Sequence, residues 1–169
     1  MRIVIDLQAA QSIGSRSRGI GRYSLSLALA LVRNRGEHEV LIALNGLFPD
    51  TIESIRTAFD GLLPQENIQV WSAVAPVASM EIANDWRRIS AELVREAFLA
   101  SLRPDVVHVS SLFEGLTDDI VTSIGELSRT IPTAVTLYDL IPYVQRKHYL
   151  EDPTVQAWYL KKIENFDSI

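Results

Sequence analysis

The stretch that most constrains this chain is residues 15–23, Ser-Arg-Ser-Arg-Gly-Ile-Gly-Arg-Tyr, which joins a predicted strand to a predicted helix. A run of β-branched and apolar residues over positions 2–7 comes first and is typical of a buried strand. Helical spacing follows, and it predicts a buried helix face made of Ile20, Tyr23, Ser24, Leu27, Ala28 and Leu31.

The glycines and arginines of this stretch suit a bound anion. A helix N-terminus carries unpaired N–H groups and a partial positive charge, and glycine lets the backbone approach a ligand closely. Residues 1–36 contain six arginines and one acid, Asp6, whereas the whole chain carries a net charge of −5. Phosphate is the ligand that such a place suits best. A plain connection without a ligand is the alternative, because glycine-rich turns here are common in α/β folds.

Two familiar phosphate motifs do not match. The P-loop requires Gly-Lys-Ser/Thr, which the sequence lacks. The dinucleotide fingerprint requires a tight turn, a third glycine and an acid at the end of the second strand. Here the loop over residues 8–18 is long, Ser24 replaces the third glycine, and the second strand ends at Asn45. A nicotinamide-dependent dehydrogenase is therefore disfavoured.

Composition excludes several other classes. The chain has 169 residues, 47% of them hydrophobic, which is enough for one domain with its own core. It has no cysteine, which fits a reducing compartment such as the cytoplasm, and its three histidines lack metal-ligand spacing. No nucleic-acid motif is present, and no apolar window is long enough to span a membrane. Peripheral membrane contact through the basic loop is left open.

Strand and helix patterns alternate along the rest of the chain. The helix over residues 84–102 is expected to be capped by Asn84 and to turn its Arg/Glu-rich side to solvent, with Trp86, Ile89, Leu93, Ala97 and Ala100 on its buried face. Residues 142–153 are expected to form a loop. The other predicted strands cover 39–44, 68–71, 106–109 and 133–137, and the other helices 48–63, 117–127 and 154–166. This alternation predicts an α/β fold, a Rossmann-like parallel sheet with helices on both faces.

The predicted fold places the candidate cleft. Ligands of parallel sheets bind at the carboxyl ends of the strands, where residues 8–22, 110–115 and 138–142 should meet. Asp139 is the best single candidate for chemistry there, with a turn or helix cap as its alternative role. His108 lies within the fourth strand and is expected to be a hydrogen-bonded core residue.

Four motifs together resemble one enzyme family: Ile-Val-Ile-Asp (3–6), Arg-Gly-Ile-Gly-Arg-Tyr (18–23), Pro-Asp-Val-Val-His (104–108) and Val-Thr-Leu-Tyr-Asp-Leu-Ile-Pro (135–142). They resemble the N-terminal half of the group 1, or family 4, glycosyltransferases, in particular bacterial mannosyltransferases that build the O-antigen of lipopolysaccharide. The resemblance implies one half of a GT-B fold. It also implies retaining transfer of a hexose, such as mannose, from a sugar nucleotide to a glycan or lipid-linked acceptor, with no metal required.

The resemblance also implies roles for ten residues. It assigns the donor diphosphate to Arg18, Gly19, Ile20 and Gly21. It assigns the acceptor to Arg22, Tyr23 and Ser111. It assigns catalysis to Ser110, Tyr138 and Asp139. Relatives often carry histidine near Ser110 and at the position of Tyr138, and tyrosine is not a base near neutral pH.

These departures leave alternatives for function. In the first, residues 1–169 are the N-terminal domain of a transferase whose C-terminal nucleotide-binding domain is absent from this chain and acts as its partner. In the second, the domain is a non-catalytic carbohydrate- or nucleotide-binding module, which Ser110 and Tyr138 favour. In the third, it is an unrelated Rossmann-like binding domain.

Overall fold

The computed structural model describes residues 1–138 and 140–167. Its strands are β1 Arg2–Asp6, β2 Glu39–Asn45, β3 Ile68–Trp71, β4 Val106–Val109 and β5 Thr133–Val135. Its helices are α1 Gly19–Arg33, α2 Pro49–Ala58, α3 Asp85–Ser101, α4 Ile141–Val144, α5 Arg146–Tyr149 and α6 Pro153–Asp167. None of the helices in these residues is both long enough and apolar enough to span a bilayer.

The five strands form one parallel sheet in the order β3-β2-β1-β4-β5. This is the order of the doubly wound dinucleotide-binding folds, in which the chain starts at the centre of the sheet and winds outwards. The predicted α/β, Rossmann-like parallel sheet is confirmed. Because all strands run the same way, the loops that follow β1, β4 and β5 meet at one edge, which we call the carboxyl edge.

Apolar cores lie on both faces of the sheet, as the alternation of side chains along β2 makes clear. Val40, Ile42 and Leu44 join the core that α1 and α2 cover, whereas Leu41 and Ala43 join the core that α3 covers through Leu99. A strand buried on both faces reads as a continuous apolar run, which is why β2 was predicted so closely.

The predicted buried face of α1 is partly wrong. Tyr23 is 53% exposed and Leu31 is 41% exposed, whereas the buried positions of the helix are Gly21, Ser24, Ala28 and Val32. Small side chains on this face let the helix axis lie close to the sheet, so the larger residues turn outwards.

The predicted orientation of α3 is inverted. Trp86 is 62% exposed and Ile89 is 50% exposed, whereas Arg95 is only 1% exposed. The buried positions of the helix are Ala91, Arg95 and Leu99. The Arg/Glu-rich side, expected in solvent, faces the sheet because the Arg95 guanidinium pairs with the buried carboxylate of Asp6 on β1.

The helix predicted over residues 117–127 is also wrong, since this segment has no regular structure. Its polar groups bond to distant parts of the chain instead of to one another. The amide of Val121 donates to Gln8 Oε1 at 3.1 Å, and the Asp119 carboxylate accepts from the amide of Val77 at 2.6 Å. These tertiary hydrogen bonds replace the helical ones.

Smaller differences concern boundaries and caps. Strand β5 ends at Val135, two residues before its predicted end, and the predicted loop over 142–153 contains most of α4 and all of α5. Asn84 makes no side-chain capping bond to α3; its Nδ2 donates to the carbonyl of Ala78 at 3.1 Å.

Candidate functional site

The N-terminus of α1 presents free amides at the carboxyl edge. Arg18 precedes the helix in an extended conformation (φ −105°, ψ −174°) and caps no amide with its side chain. The amide of Gly21 donates to the Ser15 carbonyl at 3.0 Å. Those of Gly19 and Ile20 have no acceptor among the described residues. Two N–H groups therefore point away from the helix, as an anion site requires.

The two glycines of the loop serve different needs. A Cβ on Gly21 would lie 2.5 Å from the Ser15 carbonyl oxygen and 2.5 Å from the Arg16 Cα, so the backbone packs too tightly for a side chain. A Cβ on Gly19 would have no atom within 4 Å. Gly21 thus holds the loop against the helix, whereas Gly19 faces open space that a ligand can enter.

The arginines around the loop also differ. Arg16 forms an ion pair with Asp50, with Nη1 and Oδ2 2.6 Å apart. Arg18 and Arg22 are exposed, and their guanidinium groups contact no acceptor among the described residues. Two positive side chains at the helix N-terminus therefore remain free to meet a negatively charged ligand.

Tyr138 is packed onto the first turns of α1. Its hydroxyl lies 2.6 Å from Ser24 Oγ and donates to the Ile20 carbonyl at 3.3 Å. Its ring meets that of Tyr23 edge-on, with the centroids 5.5 Å apart. Burial raises the pKa of Tyr138, so the hydroxyl is neutral and acts through hydrogen bonds. The structure thus joins the end of β5 to the glycine loop.

Ser110 and Ser111 are buried directly after β4. The Ser110 carbonyl accepts from Ser24 Oγ at 3.4 Å, and its Oγ accepts from the amide of Ala9 at 3.4 Å. Ser110 therefore ties the loops after β1 and β4 to α1.

Asp139 lies outside the described residues. No contact with a substrate tests any of the ten assigned roles, and each stays a prediction.

Glu114 is the residue of this region that the sequence analysis did not single out. It is 7% exposed and accepts a hydrogen bond from Ser15 Oγ at 2.8 Å. Burial raises the pKa of the carboxyl group above its usual range. An acid followed by glycine, in a loop that leaves the carboxyl end of a strand, was the available signal.

A second buried carboxylate, Asp6, ends β1. Arg95 donates to it from both Nε and Nη2, and Gln8 donates from its amide and its side chain. The remaining Arg95 nitrogen, Nη1, donates to the carbonyl of Ser123 at 2.7 Å. All of these groups are satisfied within the protein, so Asp6 anchors the fold and does not face the cleft.

His108 has the packing role expected of it. Its Nε2 lies 3.0 Å from Thr136 Oγ1, and burial lowers the pKa of the ring.

The described residues contain no cluster of three or more side chains that could bind a metal ion.

A groove of about 390 Å³ opens beside the glycine loop and is lined in part by Ile13, Arg16, Phe48, Asp50, Pro76 and Asp118.

Comparison with known proteins bears on this arrangement. The chain is 38% identical over 168 residues to a serotype-specific mannosyltransferase, WbdA, from Escherichia coli. The alignment covers 99% of this chain and 20% of that protein. Two further Escherichia coli proteins of the same name are 36% and 34% identical over 142 residues, with 83% of the chain covered.

The chain is homologous to one segment of these bacterial mannosyltransferases. The resemblance predicted from the glycine loop and the other motifs is therefore confirmed at this level. The chain spans about a fifth of the length of the curated relatives that it matches. No protein-family profile matches the chain, and no solved structure does.

Proposed function

We propose that this chain is the N-terminal domain of a retaining mannosyltransferase that builds a bacterial surface polysaccharide such as an O-antigen. Its longer polypeptide contains a second Rossmann-like domain that binds most of the sugar nucleotide. One observation carries the proposal. A homologue of mannosyltransferases over 99% of its length presents two free amides and two free arginines at the carboxyl edge of a parallel sheet.

The donor diphosphate is proposed to bind at the amides of Gly19 and Ile20, with Arg18 beside them. Two amide donors, a helix dipole and a cation can stabilise the negative charge on the leaving diphosphate without a metal. The open space above Gly19 supports close approach, because a phosphate oxygen accepts from an N–H group only at hydrogen-bond distance.

The acceptor is proposed to enter through the groove beside the loop, which is large enough for a sugar ring. Arg22 and Tyr23 lie exposed near the first turn of α1, where they can contact either substrate. The enzyme is proposed to act in the cytoplasm, at the inner face of the membrane where the acceptor is lipid-linked. The basic loop supports that position, since cations attract anionic lipid.

The test uses the longer enzyme and the variant Arg18→Ala, with Arg33→Ala as control. Arg33 is exposed at the other end of α1, so each change removes one positive charge, Arg18→Ala just before the helix and Arg33→Ala at its last residue. We expect Arg18→Ala to raise the KM for the mannosyl nucleotide by about tenfold, and less in high salt, because an exposed charge pair is screened. Equal KM values for the two variants would place the donor phosphate elsewhere.

A second candidate is a binding module without catalysis. The hydroxyl of Tyr138 is engaged with Ser24 and with the Ile20 carbonyl, and Ser110 is engaged with Ala9 and Ser24, so both act as parts of the fold. Transfer of mannose by the longer enzyme would reject this candidate. Binding of the nucleotide with no transfer to any glycan acceptor would favour it.

A further inference from the structure

We propose that Glu114 is a positioning residue of the glycine loop, whose carboxyl group fixes Ser15 and, through it, the first turn of α1. The inference rests on the proposed function, since it concerns the same diphosphate site. Among the described residues, Glu114 makes no hydrogen bond to the free amides, and it acts through Ser15.

A continuous chain of hydrogen bonds links Glu114 to the anion site. Ser15 Oγ donates to Glu114 Oε1 at 2.8 Å. The carbonyl oxygen of the same serine accepts from the amides of Arg18 at 2.9 Å and Gly21 at 3.0 Å. Those two amides flank Gly19 and Ile20. The position of Ser15 therefore determines where the free amides point.

The loop that carries Glu114 is rigid at this point. Gly115 has a φ of +88°, and a Cβ there would lie 2.0 Å from the Ile120 carbonyl oxygen. Its own carbonyl accepts from the amide of Ser79 at 3.0 Å, and Thr122 Oγ1 donates to the Leu112 carbonyl at 2.8 Å. The carboxyl group is thus presented to Ser15 from a fixed frame.

Burial raises the pKa of Glu114, and the negative charge of Asp118 in the same loop acts in the same direction. The hydrogen bond from Ser15 Oγ acts in the opposite direction, because it stabilises the carboxylate. In either protonation state Glu114 Oε1 can accept from Ser15 Oγ, so the link to the loop does not depend on the charge of the acid.

Two other titratable groups face this region from neighbouring elements. Lys162 on α6 bonds to Thr122 Oγ1 at 2.5 Å, and burial lowers its pKa to about 7. Tyr138 has a raised pKa and is neutral. The carboxyl group of Glu114 attracts the Lys162 ammonium and raises its pKa against the larger effect of burial.

The experiment measures binding of inorganic pyrophosphate to the isotope-labelled 169-residue chain, from the NMR shifts of the Gly19 and Ile20 amides. The variants are Glu114→Gln and Glu114→Ala, and the control is Glu66→Gln, an exposed acid just before the amino end of β3. Gln keeps an oxygen that accepts from Ser15 but cannot ionise. The ratio of wild-type to variant affinity cancels the titration of pyrophosphate itself.

At about pH 6.5 we expect Glu114→Gln to bind within about twofold of the wild type and Glu114→Ala to bind about fivefold more weakly, since only Ala loses the acceptor. Should Glu114→Ala not fold, Ser15→Ala breaks the same chain of hydrogen bonds, and about the same loss is expected of it.

Two results would overturn the inference while leaving the proposed function intact: Gln binding as weakly as Ala, or Ala binding as tightly as the wild type. Absence of any pyrophosphate-dependent shift at Gly19 and Ile20 in the wild type would overturn both, because it would remove the anion site. A loss of affinity in Glu66→Gln equal to that in Glu114→Ala would assign the effect to overall charge and reject Glu114.

Discussion

Asp6 and Glu114 are both buried carboxyl groups at the carboxyl edge of the sheet, and their surroundings differ completely. Asp6 is 1% exposed and faces the guanidinium of Arg95, which is equally buried. Glu114 is 7% exposed and accepts a hydrogen bond from the hydroxyl of Ser15. A charge taken out of water needs a counter-charge, and burial without an adjacent one raises the pKa of a carboxyl group.

The difference separates an anchor of the fold from a part of the site. The Asp6–Arg95 pair joins β1 to α3, and Gln8 and Ser123 take up further bonds of the two side chains. No donor is left for a ligand. Around Glu114, one serine contacts both the acid and the backbone of the glycine loop, so a small change there reaches the free amides of α1.

The largest effect is expected when the anchor loses its cation. Arg95→Met leaves the Asp6 carboxylate buried without a counter-charge, and it should lower the free energy of unfolding by about 3–5 kcal/mol. Urea denaturation of the chain measures this. Arg33→Met, at an exposed position of α1, is the matched control and should change the free energy by less than about 0.5 kcal/mol.

The double variant Asp6→Asn/Arg95→Met sharpens the same point. Asn keeps an oxygen for the amide of Gln8 but removes the unpaired charge, so the double variant should be more stable than Arg95→Met alone. An Arg95→Met chain as stable as the control would show that the buried pair does not anchor the sheet.

A smaller effect is expected in the loop, where the two glycines can be compared directly. Gly21→Ala forces a methyl group against the backbone of Ser15 and Arg16, and it should destabilise the chain by about 1–3 kcal/mol. Gly19→Ala meets open space and should leave stability unchanged or slightly higher. Thermal unfolding separates the two. Equal losses would contradict the different roles of the glycines.

The strands were predictable because their signal is local. The β-branched runs predicted all five strands of the sheet, and the Arg-Gly-Ile-Gly-Arg segment correctly predicted where the loop meets α1. Side-chain orientation on α3 was not predictable, because Arg95 is buried by its pairing with Asp6, 89 positions away in the sequence. The spacing of the apolar residues along α3, taken alone, predicted that the opposite face of the helix is buried.

The site was predictable only in part for the same reason. Local pattern located the glycine loop, but the separate tasks of Gly19 and Gly21 depend on how residues 15 and 16 fold back over the helix. Glu114 meets Ser15 across 99 positions of sequence, so the residues around it did not indicate this contact. The helix expected over 117–127 failed because its polar groups bond to residues such as Gln8 and Val77.

The smallest effect, and the one that most directly separates the two carboxyl groups, is the pH dependence of stability at Glu114. Its pKa is raised in the folded chain, so folding favours the protonated form. The stability that this provides is complete below the ordinary pKa of glutamate, about 4.3, and is lost as pH rises through the folded value. Gln, which cannot ionise, should not lose it.

Glu114→Gln should therefore unfold at the same temperature as the wild type near pH 4 and a few degrees higher near pH 8, on the order of 1 kcal/mol of stability for a domain of this size. Melting curves at the two pH values measure the difference, with Glu66→Gln as the control. If Glu114 were instead an ionised partner of Lys162, the sign would reverse, because neutralising the acid would then leave a cation without its counter-charge as pH rises above about 4. A wild type more stable than Glu114→Gln at about pH 6, below the pKa of Lys162, would thus place Glu114 with Asp6 as a charged anchor.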